Sequence, residues 1–307
     1  MALISIVAPI YKSRDILPVF IDRLTTSLDE LTSDYEIILV DDGCPESSWD
    51  VITEIAKKNS LVKGVKLSRN FGQNNAINAG LKFITGDWII VMDCDLQDRP
   101  SEITNFYYKA LEGYEIVVGK VKQKRVGFYR RIESIIFYRI FNFFTGLKAN
   151  SGVGNFGIYK KNVIESYLLL NEDNKSFGAC MIWLGFDRFE LEVDSDKRHS
   201  GKSSYTFFKK LRLATSTIIS FSDRFLLLIL SLGVLITFFS IILLLLHLFN
   251  VFVYGTLLSG WTSLILSIYF SLGVVISSIG IVGFYVGKIF SQAKRRPNYV
   301  ISKKNNL

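Results

Sequence analysis

Residues 88–98 read WIIVMDCDLQD, an apolar run that ends in three acids, and this pattern decides the fold class. The run from Trp88 to Met92 has the composition of a buried strand, which the acids terminate. Similar apolar runs occupy residues 3–8, 36–40 and 62–67. Segments with helical spacing lie between them, at residues 16–31, 49–58 and 74–83. This alternation predicts an α/β fold, Rossmann-like, with a mostly parallel sheet covered on both faces.

Polar motifs follow three of the predicted strands at the point where each ends. They are Pro9-Ile10-Tyr11, Asp41-Asp42 and the acids that begin at Asp93. Ligands of parallel α/β sheets bind at the carboxyl ends of strands. We therefore predict one binding site built from these three motifs.

The acids of the third motif are spaced for a hard cation. Asp93 and Asp95 lie one residue apart just past a strand, and the Gln97 carbonyl supplies a third oxygen. Mg²⁺ and Mn²⁺ bind such oxygens and take further ligands from substrate phosphates. The alternative is a polar strand end with solvated acids.

The other motifs suit a nucleotide. An acid at a strand end, here Asp41 or Asp42, accepts hydrogen bonds from a base or ribose, and Tyr11 can stack on a flat ring. The turn at residues 67–76 adds amide side chains, among them Asn70 and Gln73, and a helix N-terminus suited to a phosphate or sugar.

The C-terminal third of the chain is apolar. No Asp, Glu, Lys or Arg occurs between Phe225 and Gly287. We predict a cytoplasmic domain over residues 1–224, two transmembrane helices over about 226–248 and 262–286, and a basic cytoplasmic tail over 288–307. Basic residues flank the spans but not their link, so both termini are predicted to be cytoplasmic. Since the positive excess lies in the tail, the charge pattern does not indicate nucleic-acid binding.

Two further segments, about 130–145 and 205–221, combine a broad apolar face with basic residues. We expect helices lying in the membrane interface, although each could be an ordinary core helix. Residues 120–131 carry six basic side chains, beginning with Lys120, and no acid. That cluster suits a phosphate-bearing lipid, an anionic membrane surface or simply solvent.

The motifs together resemble glycosyltransferase family 2. They are Pro-x-Tyr at 9–11, Val-Asp-Asp-Gly at 40–43, Arg-Asn-Phe-Gly-Gln at 69–73 and Met-Asp-x-Asp-Leu-Gln-Asp at 92–98. Residues 183–186, 198–205, 219–222 and 296–297 also fit bacterial members of its polyprenyl-phosphate glycosyltransferase and dolichol-phosphate mannose synthase branch.

The resemblance implies a GT-A catalytic domain, a nucleotide-sugar donor and one divalent metal, Mg²⁺ or Mn²⁺. By motif, Asp93, Asp95 and Gln97 would hold the metal. Residues around the nucleoside would be Pro9, Tyr11, Asp41 and Asp42. The implied acceptor is a polyprenyl phosphate such as undecaprenyl phosphate, with Arg131, Ser134, Arg198 and Lys202 near the phosphates.

A phosphate acceptor also simplifies the chemistry. Its second pKa is about 6, so it is an ionised nucleophile at neutral pH. A single displacement would invert the anomeric centre. Because the nucleophile is already ionised, no strong base is needed, and the chemistry tolerates Asn155 at a position where relatives often carry Asp. Lys12-Ser13 replaces the Asn-Glu of many relatives, which removes one carboxylate near the nucleoside.

The expected enzyme is a hexosyltransferase that uses a UDP-sugar, with UDP-glucose considered first, at the bacterial inner membrane. Its product would serve surface-glycan assembly through a separate flippase and a periplasmic transferase. Small residues in the second span permit helix packing in a homo-oligomer. The alternatives are a transferase that extends a lipid-linked oligosaccharide at a hydroxyl and a non-catalytic membrane scaffold.

Overall fold

A computed structural model describes residues 3–122, 128–170, 172, 175–194, 196, 224–254 and 260–307 of the chain. Two compact units divide the chain, residues 1–217 with 297–307 and residues 218–296. The predicted helix at 205–221 lies outside the described residues.

The first unit is built on one eight-stranded sheet in the order β7-β5-β6-β4-β1-β2-β3-β8. Its strands are β1 (Ile4–Ile10), β2 (Tyr35–Asp41), β3 (Val62–Leu67), β4 (Trp88–Val91), β5 (Ile116–Val121), β6 (Val153–Lys160), β7 (Arg188–Val193) and β8 (Ile301–Asn305). Strands β4, β1, β2 and β3 are parallel, whereas β6 and β8 pair antiparallel with their neighbours. The prediction of an α/β fold with a mostly parallel sheet is confirmed.

Seven described helices accompany this sheet. They are α1 (Leu17–Asp29), α2 (Ser48–Lys58), α3 (Gln73–Gly80), α4 (Glu102–Leu111), α5 (Phe128–Thr145), α6 (Lys161–Leu169) and α7 (Phe177–Trp183). The predicted helices at 16–31, 49–58 and 74–83 correspond to α1, α2 and α3, the last continued by a 3₁₀ turn over Leu81–Phe83. Helix α5 matches the segment predicted at 130–145.

The neighbouring strands β1 and β2 are buried along their whole length, as expected for a sheet covered on both faces. Every residue of β1 and of β2 is buried. Helix α1 packs on the sheet through Leu17, Phe20, Leu24 and Leu28, which recur every three or four residues and are all fully buried. This rigid centre holds the three polar strand ends in register.

The acid Glu36 is buried within β2. Its carboxylate accepts hydrogen bonds from Ser5 of β1, from Lys63 of β3 at 2.6 Å, and from the backbone N–H and hydroxyl of Thr85 at 2.6 and 2.9 Å. Burial raises the pKa of Glu36, but these donors together outweigh burial, so the pKa lies below its usual value.

Strand β8 was not expected from the sequence. It lies within the residues 288–307 predicted as a basic tail, and it pairs antiparallel with β3 at the end of the sheet. Ser68 donates a backbone hydrogen bond of 2.9 Å to the carbonyl of Val300, just before the strand. Part of the tail is therefore an element of the first unit.

The second unit contains α8 (Arg224–Tyr254) and α9 (Trp261–Ala293). By length and composition, one helix in the described part of the chain could cross a membrane, Ser267–Ala293 within α9. The sequence predicts two such spans, whereas the described part of the structure contains one candidate. The first predicted span, 226–248, falls in α8, where several side chains lie outside the description.

Candidate active site

The strand order β4-β1-β2 brings the three predicted motifs to one edge of the sheet. Neighbouring strands lie about 4.8 Å apart, so the ends of β2 and β4 are separated by roughly 10 Å. Pairing continues to this edge, where Asp42 donates to the carbonyl of Ile10 at 3.0 Å and Met92 to that of Val7 at 3.2 Å. Backbone pairing therefore fixes the ends of β1, β2 and β4 relative to one another.

Asp42 holds the loop that follows β3, residues 68–72, which we call the donor loop. Its carboxylate accepts backbone hydrogen bonds from Phe71 at 2.7 Å and from Gly72 at 2.9 Å. Burial raises the pKa of Asp42, although both bonds act in the opposite direction. The sequence suggests a ligand-binding acid here, and the structure shows a side chain that also shapes the loop.

Gly43 allows this loop to approach closely. Its φ is +60°, and a Cβ at this position would lie 2.4 Å from the carbonyl carbon of Arg69. Only glycine adopts this conformation without strain and leaves room for the neighbouring backbone. Contact with the donor loop therefore explains why a glycine follows the two aspartates.

Asp41 has unused hydrogen-bonding capacity. Its Oδ1 accepts the N–H of Cys44 at 2.8 Å, whereas its buried Oδ2 has no hydrogen-bond partner among the described residues. Burial raises the pKa of this carboxyl group. A buried acceptor without a partner is costly, and a ligand N–H or O–H would satisfy it.

The acids that follow β4 are linked to the residue after the donor loop. Gln73, the first residue of α3, donates from Nε2 to Asp93 Oδ1 at 2.6 Å. Asp95 Oδ1 accepts the backbone N–H of Gln97 at 3.1 Å. Two of the predicted site regions, the turn at 67–76 and the acids, are therefore in direct contact.

Asp98, the third acid after β4, also belongs to this cluster. Its Oδ2 accepts the backbone N–H of Asp93 at 3.3 Å. Burial, together with the charges of Asp93 and Asp95, raises the pKa of Asp98 to about 7. The available sequence signal was its place as the third acid of the run.

The residues present fit a divalent cation. Carboxylate and carbonyl oxygens are the ligands that Mg²⁺ and Mn²⁺ prefer, and Asp93, Asp95 and Asp98 bring three carboxyl groups together just after β4. Within the described ranges, no group of three or more His, Cys, Asp or Glu residues is arranged to hold a metal ion. The predicted oxygen ligands are the carboxylates of Asp93 and Asp95 and the carbonyl of Gln97.

The remaining predicted donor residues lie at the same edge. Pro9 is buried and pairs with Val40, and the side chain of Tyr11 is 40% exposed, accessible to a ligand. Asn70 lies exposed in the donor loop. Within the described residues, no hydrogen bond joins the side chain of Tyr11 or of Asn70 to the acids that follow β4.

The predicted acceptor residues fall partly outside the description. Lys120, in β5, forms an ion pair of 3.1 Å with Glu190 of β7, so its charge is partly compensated. Ser134 of α5 donates to the hydroxyl of Ser151 at 3.0 Å. Arg131 lies in α5, but its side chain is not described, and Arg198 and Lys202 lie outside the described residues.

Comparisons with a family model and with curated proteins agree on one family. The model described as Glycosyl transferase family 2 matches residues 5–168. "Uncharacterized glycosyltransferase YkcC" of Bacillus subtilis (strain 168) is 32% identical over 97% of this chain and 93% of its own. "Putative glycosyltransferase CsbB" of the same organism is 30% identical over 99% of this chain and 92% of its own.

Among solved structures, the mannosyltransferase PcManGT from Pyrobaculum calidifontis, in complex with GDP-Man and Mn²⁺, is similar to this chain. It is 13% identical, with a TM-score of 0.47, over 66% of this chain and 58% of that one.

Proposed function

This chain belongs to glycosyltransferase family 2, and we propose that it transfers a hexose from a nucleotide sugar to a polyprenyl phosphate with inversion at the anomeric carbon. Family membership establishes a transferase that uses a nucleotide sugar as donor. The acceptor, the sugar and the metal are the proposed parts. One observation supports the site most strongly, the contact of Gln73 with Asp93, which joins the donor loop to the acids.

The nucleoside of the donor would occupy the ends of β1 and β2. A base with an imide or amide N–H would donate to Oδ2 of Asp41, the buried acceptor without a partner in the described part of the chain. Tyr11, which is accessible, would pack on the base. The sequence resemblance favours a UDP-sugar, so UDP-glucose is the first donor to test.

The diphosphate of the donor would lie towards β4, between the donor loop and the acids. Asp93, Asp95 and Gln97 would hold Mg²⁺ or Mn²⁺, which supplies charge stabilisation for a departing diphosphate. Gln73 orients Asp93 through its 2.6 Å hydrogen bond. The N-terminus of α3 adds backbone N–H groups that favour a phosphate.

The reaction is a single displacement. An oxygen of the acceptor phosphate forms a bond to the anomeric carbon, the bond from that carbon to the donor diphosphate breaks, and the electron pair leaves with the nucleoside diphosphate. Since the acceptor is ionised above its second pKa of about 6, the protein has no need of a strong base. Asn155, which abuts Gly178 at the start of α7, is compatible with this chemistry.

The acceptor would reach the site from a membrane. Helix α5 exposes Ile135, Ile136, Ile140 and Phe143, each at least half exposed, which suits a helix lying in the bilayer interface. Helix α9 includes the candidate span, and α8 carries no charged residue after Arg224, so we propose it as the second crossing. We place the chain in the bacterial inner membrane, with its catalytic unit in the cytoplasm.

The test incubates the purified full chain with Mg²⁺ or Mn²⁺, undecaprenyl phosphate and a panel of UDP- and GDP-sugars, and identifies lipid products by mass spectrometry. We expect one lipid-phosphate-hexose, formed with one donor. Asp95→Asn should abolish the product. Glu54→Gln, which removes an exposed acid of α2, should leave it unchanged.

Two results would contradict the proposal. Product from Asp95→Asn at the normal rate would exclude the acids from catalysis. Absence of both transfer and donor hydrolysis with every donor would instead favour a non-catalytic scaffold.

A further inference from the structure

The segment of residues 299–306, which we call the C-terminal segment, is attached to the first residue of the donor loop. Its strand β8 pairs with β3 up to Leu67, which lies opposite Ile301. The next bond joins the N–H of Ser68 to the carbonyl of Val300 at 2.9 Å. The segment therefore fixes the backbone at the point where β3 becomes the donor loop.

The same segment also contacts the helix that follows the donor loop. The hydroxyl of Tyr299 donates to the carbonyl of Asn78 in α3 at 3.4 Å. The ammonium group of Lys82 lies 5.3 Å from the centre of the Tyr299 ring, a cation–π contact. The donor loop is thus flanked by two attachment points, one at Ser68 and one on α3.

The far end of the segment has its own anchors. The side-chain amide of Asn306 donates to the carbonyls of Ala56 at 2.7 Å and Val62 at 3.1 Å, where β3 begins. The ammonium group of Lys304 lies 4.7 Å from the centre of the Phe83 ring. These side-chain contacts hold the segment along the whole of β3, in addition to the strand ladder.

Removal of the segment would make β3 an edge strand, because β8 is its outer neighbour in the sheet. A strand end and loop that lose backbone partners open more readily. The donor loop must keep its shape for Phe71 and Gly72 to reach Asp42 and for Gln73 to reach Asp93. Loss of that shape would weaken the donor site without changing any residue in it.

We propose that the C-terminal segment is a positioning element for the donor loop, so that affinity for the nucleotide depends on residues that follow both apolar helices in the chain. The proposal rests on the proposed function in one respect, the use of the donor loop by the nucleotide. Tyr299 and the backbone of Val300 act through Ser68 and α3, and neither is assigned a contact with substrate.

The main test compares the full chain with a variant that ends at Asn298, using titration with UDP and with GDP in the presence of Mg²⁺. We expect the dissociation constant to rise by about tenfold, a usual size for coupling between separate sites. A peptide of residues 299–307, YVISKKNNL, should restore the affinity, since an added strand can re-form the edge of a sheet. A scrambled peptide and a variant lacking only Leu307 are the controls.

A second variant covers the case in which the shortened chain does not fold. Tyr299→Ala keeps β8 but removes the contacts with Asn78 and Lys82. We expect a dissociation constant about fivefold higher, with faster hydrogen exchange in residues 68–72. Tyr108→Ala, which removes an exposed tyrosine from α4, should change neither quantity.

The results separate this proposal from the proposed function. If the full chain binds neither nucleotide, the proposed donor site is wrong. If the full chain binds one of them and a folded variant ending at Asn298 binds it equally well, the positioning role is wrong. Failure of bound peptide to restore a weakened affinity would also overturn it, as would unchanged binding by Tyr299→Ala.

Discussion

At the scale of single residues, Asp41 connects burial with ligand binding. Its carboxylate is fully buried, and Oδ2 lacks a hydrogen-bond partner among the described residues. Such a group destabilises the fold, because burial removes water from a charge without replacing its hydrogen bonds. Its retention at the end of β2 is explained if a nucleotide supplies the missing donor.

We predict opposite effects of Asp41→Asn on binding and on stability. Affinity for UDP should fall by about tenfold or more, because a hydrogen bond to a charged group contributes about 1.5–3 kcal/mol. The thermal unfolding midpoint of the nucleotide-free protein should stay level or rise, because the unpaired buried charge is gone. Calorimetric titration and circular dichroism measure the two effects. Unchanged affinity would exclude Asp41 from the nucleotide site.

The sequence identifies candidate site residues but not the hydrogen bonds that connect them. Asp42, Gln73 and Asp93 are identified by residue type and by position after strands. Their hydrogen bonds join residues 20 to 30 positions apart, as the Gln73–Asp93 and Asp42–Gly72 pairs show, and these depend on the packed sheet. The close approach of Gly43 to Arg69 is likewise a tertiary contact that no local pattern contains.

At the scale of elements, Glu36 ties β1, β2 and β3 to the turn before β4. All of its described partners come from other elements, and together they keep its pKa low. A carboxyl group whose pKa is lower in the folded protein than in the unfolded one stabilises the fold above the unfolded pKa. This stabilisation is lost as the pH falls through the folded pKa.

We therefore predict that Glu36→Gln lowers the free energy of unfolding by about 2–4 kcal/mol at neutral pH, because it removes a buried, paired charge. The difference from the unaltered chain should shrink as the pH falls below the unfolded pKa of about 4.3 and through the lower folded pKa, because Glu36 is protonated first in the unfolded state and then in the folded state. Denaturation at a series of pH values measures it, with Glu54→Gln as the exposed control. A difference independent of pH would contradict the assigned role of the charge.

Helix α5 gives a second prediction at this scale. Ile136 and Ile140 are 52% and 50% exposed and lie one helical turn apart. If α5 meets the bilayer, the double variant Ile136→Ser/Ile140→Ser should raise the KM for polyprenyl phosphate by about tenfold, because each isoleucine contributes about 1 kcal/mol or more on burial. Affinity for the nucleotide should not change. Leu169→Ser, an exposed apolar position on α6, is the matched control, and an unaltered KM for the lipid would contradict an interfacial α5.

Elements with a regular local pattern were predicted, and elements defined by distant pairing were not. The runs that became β1 to β4 are apolar and continuous, which is the signature of buried parallel strands. Strand β8 reads ISKKN, with two lysines, and becomes a strand only because β3 offers an edge.

At the scale of the whole molecule, the charged residues are distributed unevenly along the chain. All 28 acidic residues precede Phe225, and six basic residues follow Gly287. The first unit carries the acids of the candidate site, whereas the described part of the second contains two long apolar helices. This division suits an enzyme that takes a soluble donor and a lipid acceptor.

The central claim is that the acceptor is a lipid phosphate, and a competition experiment tests it most directly. The full chain, Mg²⁺ and its preferred donor are incubated with equal amounts of undecaprenyl phosphate and a lipid-linked oligosaccharide, and mass spectrometry follows both lipids. We predict that the hexose appears on undecaprenyl phosphate alone and that Asp95→Asn abolishes its appearance. Hexose on the oligosaccharide alone would contradict the account and identify a transferase that uses a hydroxyl acceptor.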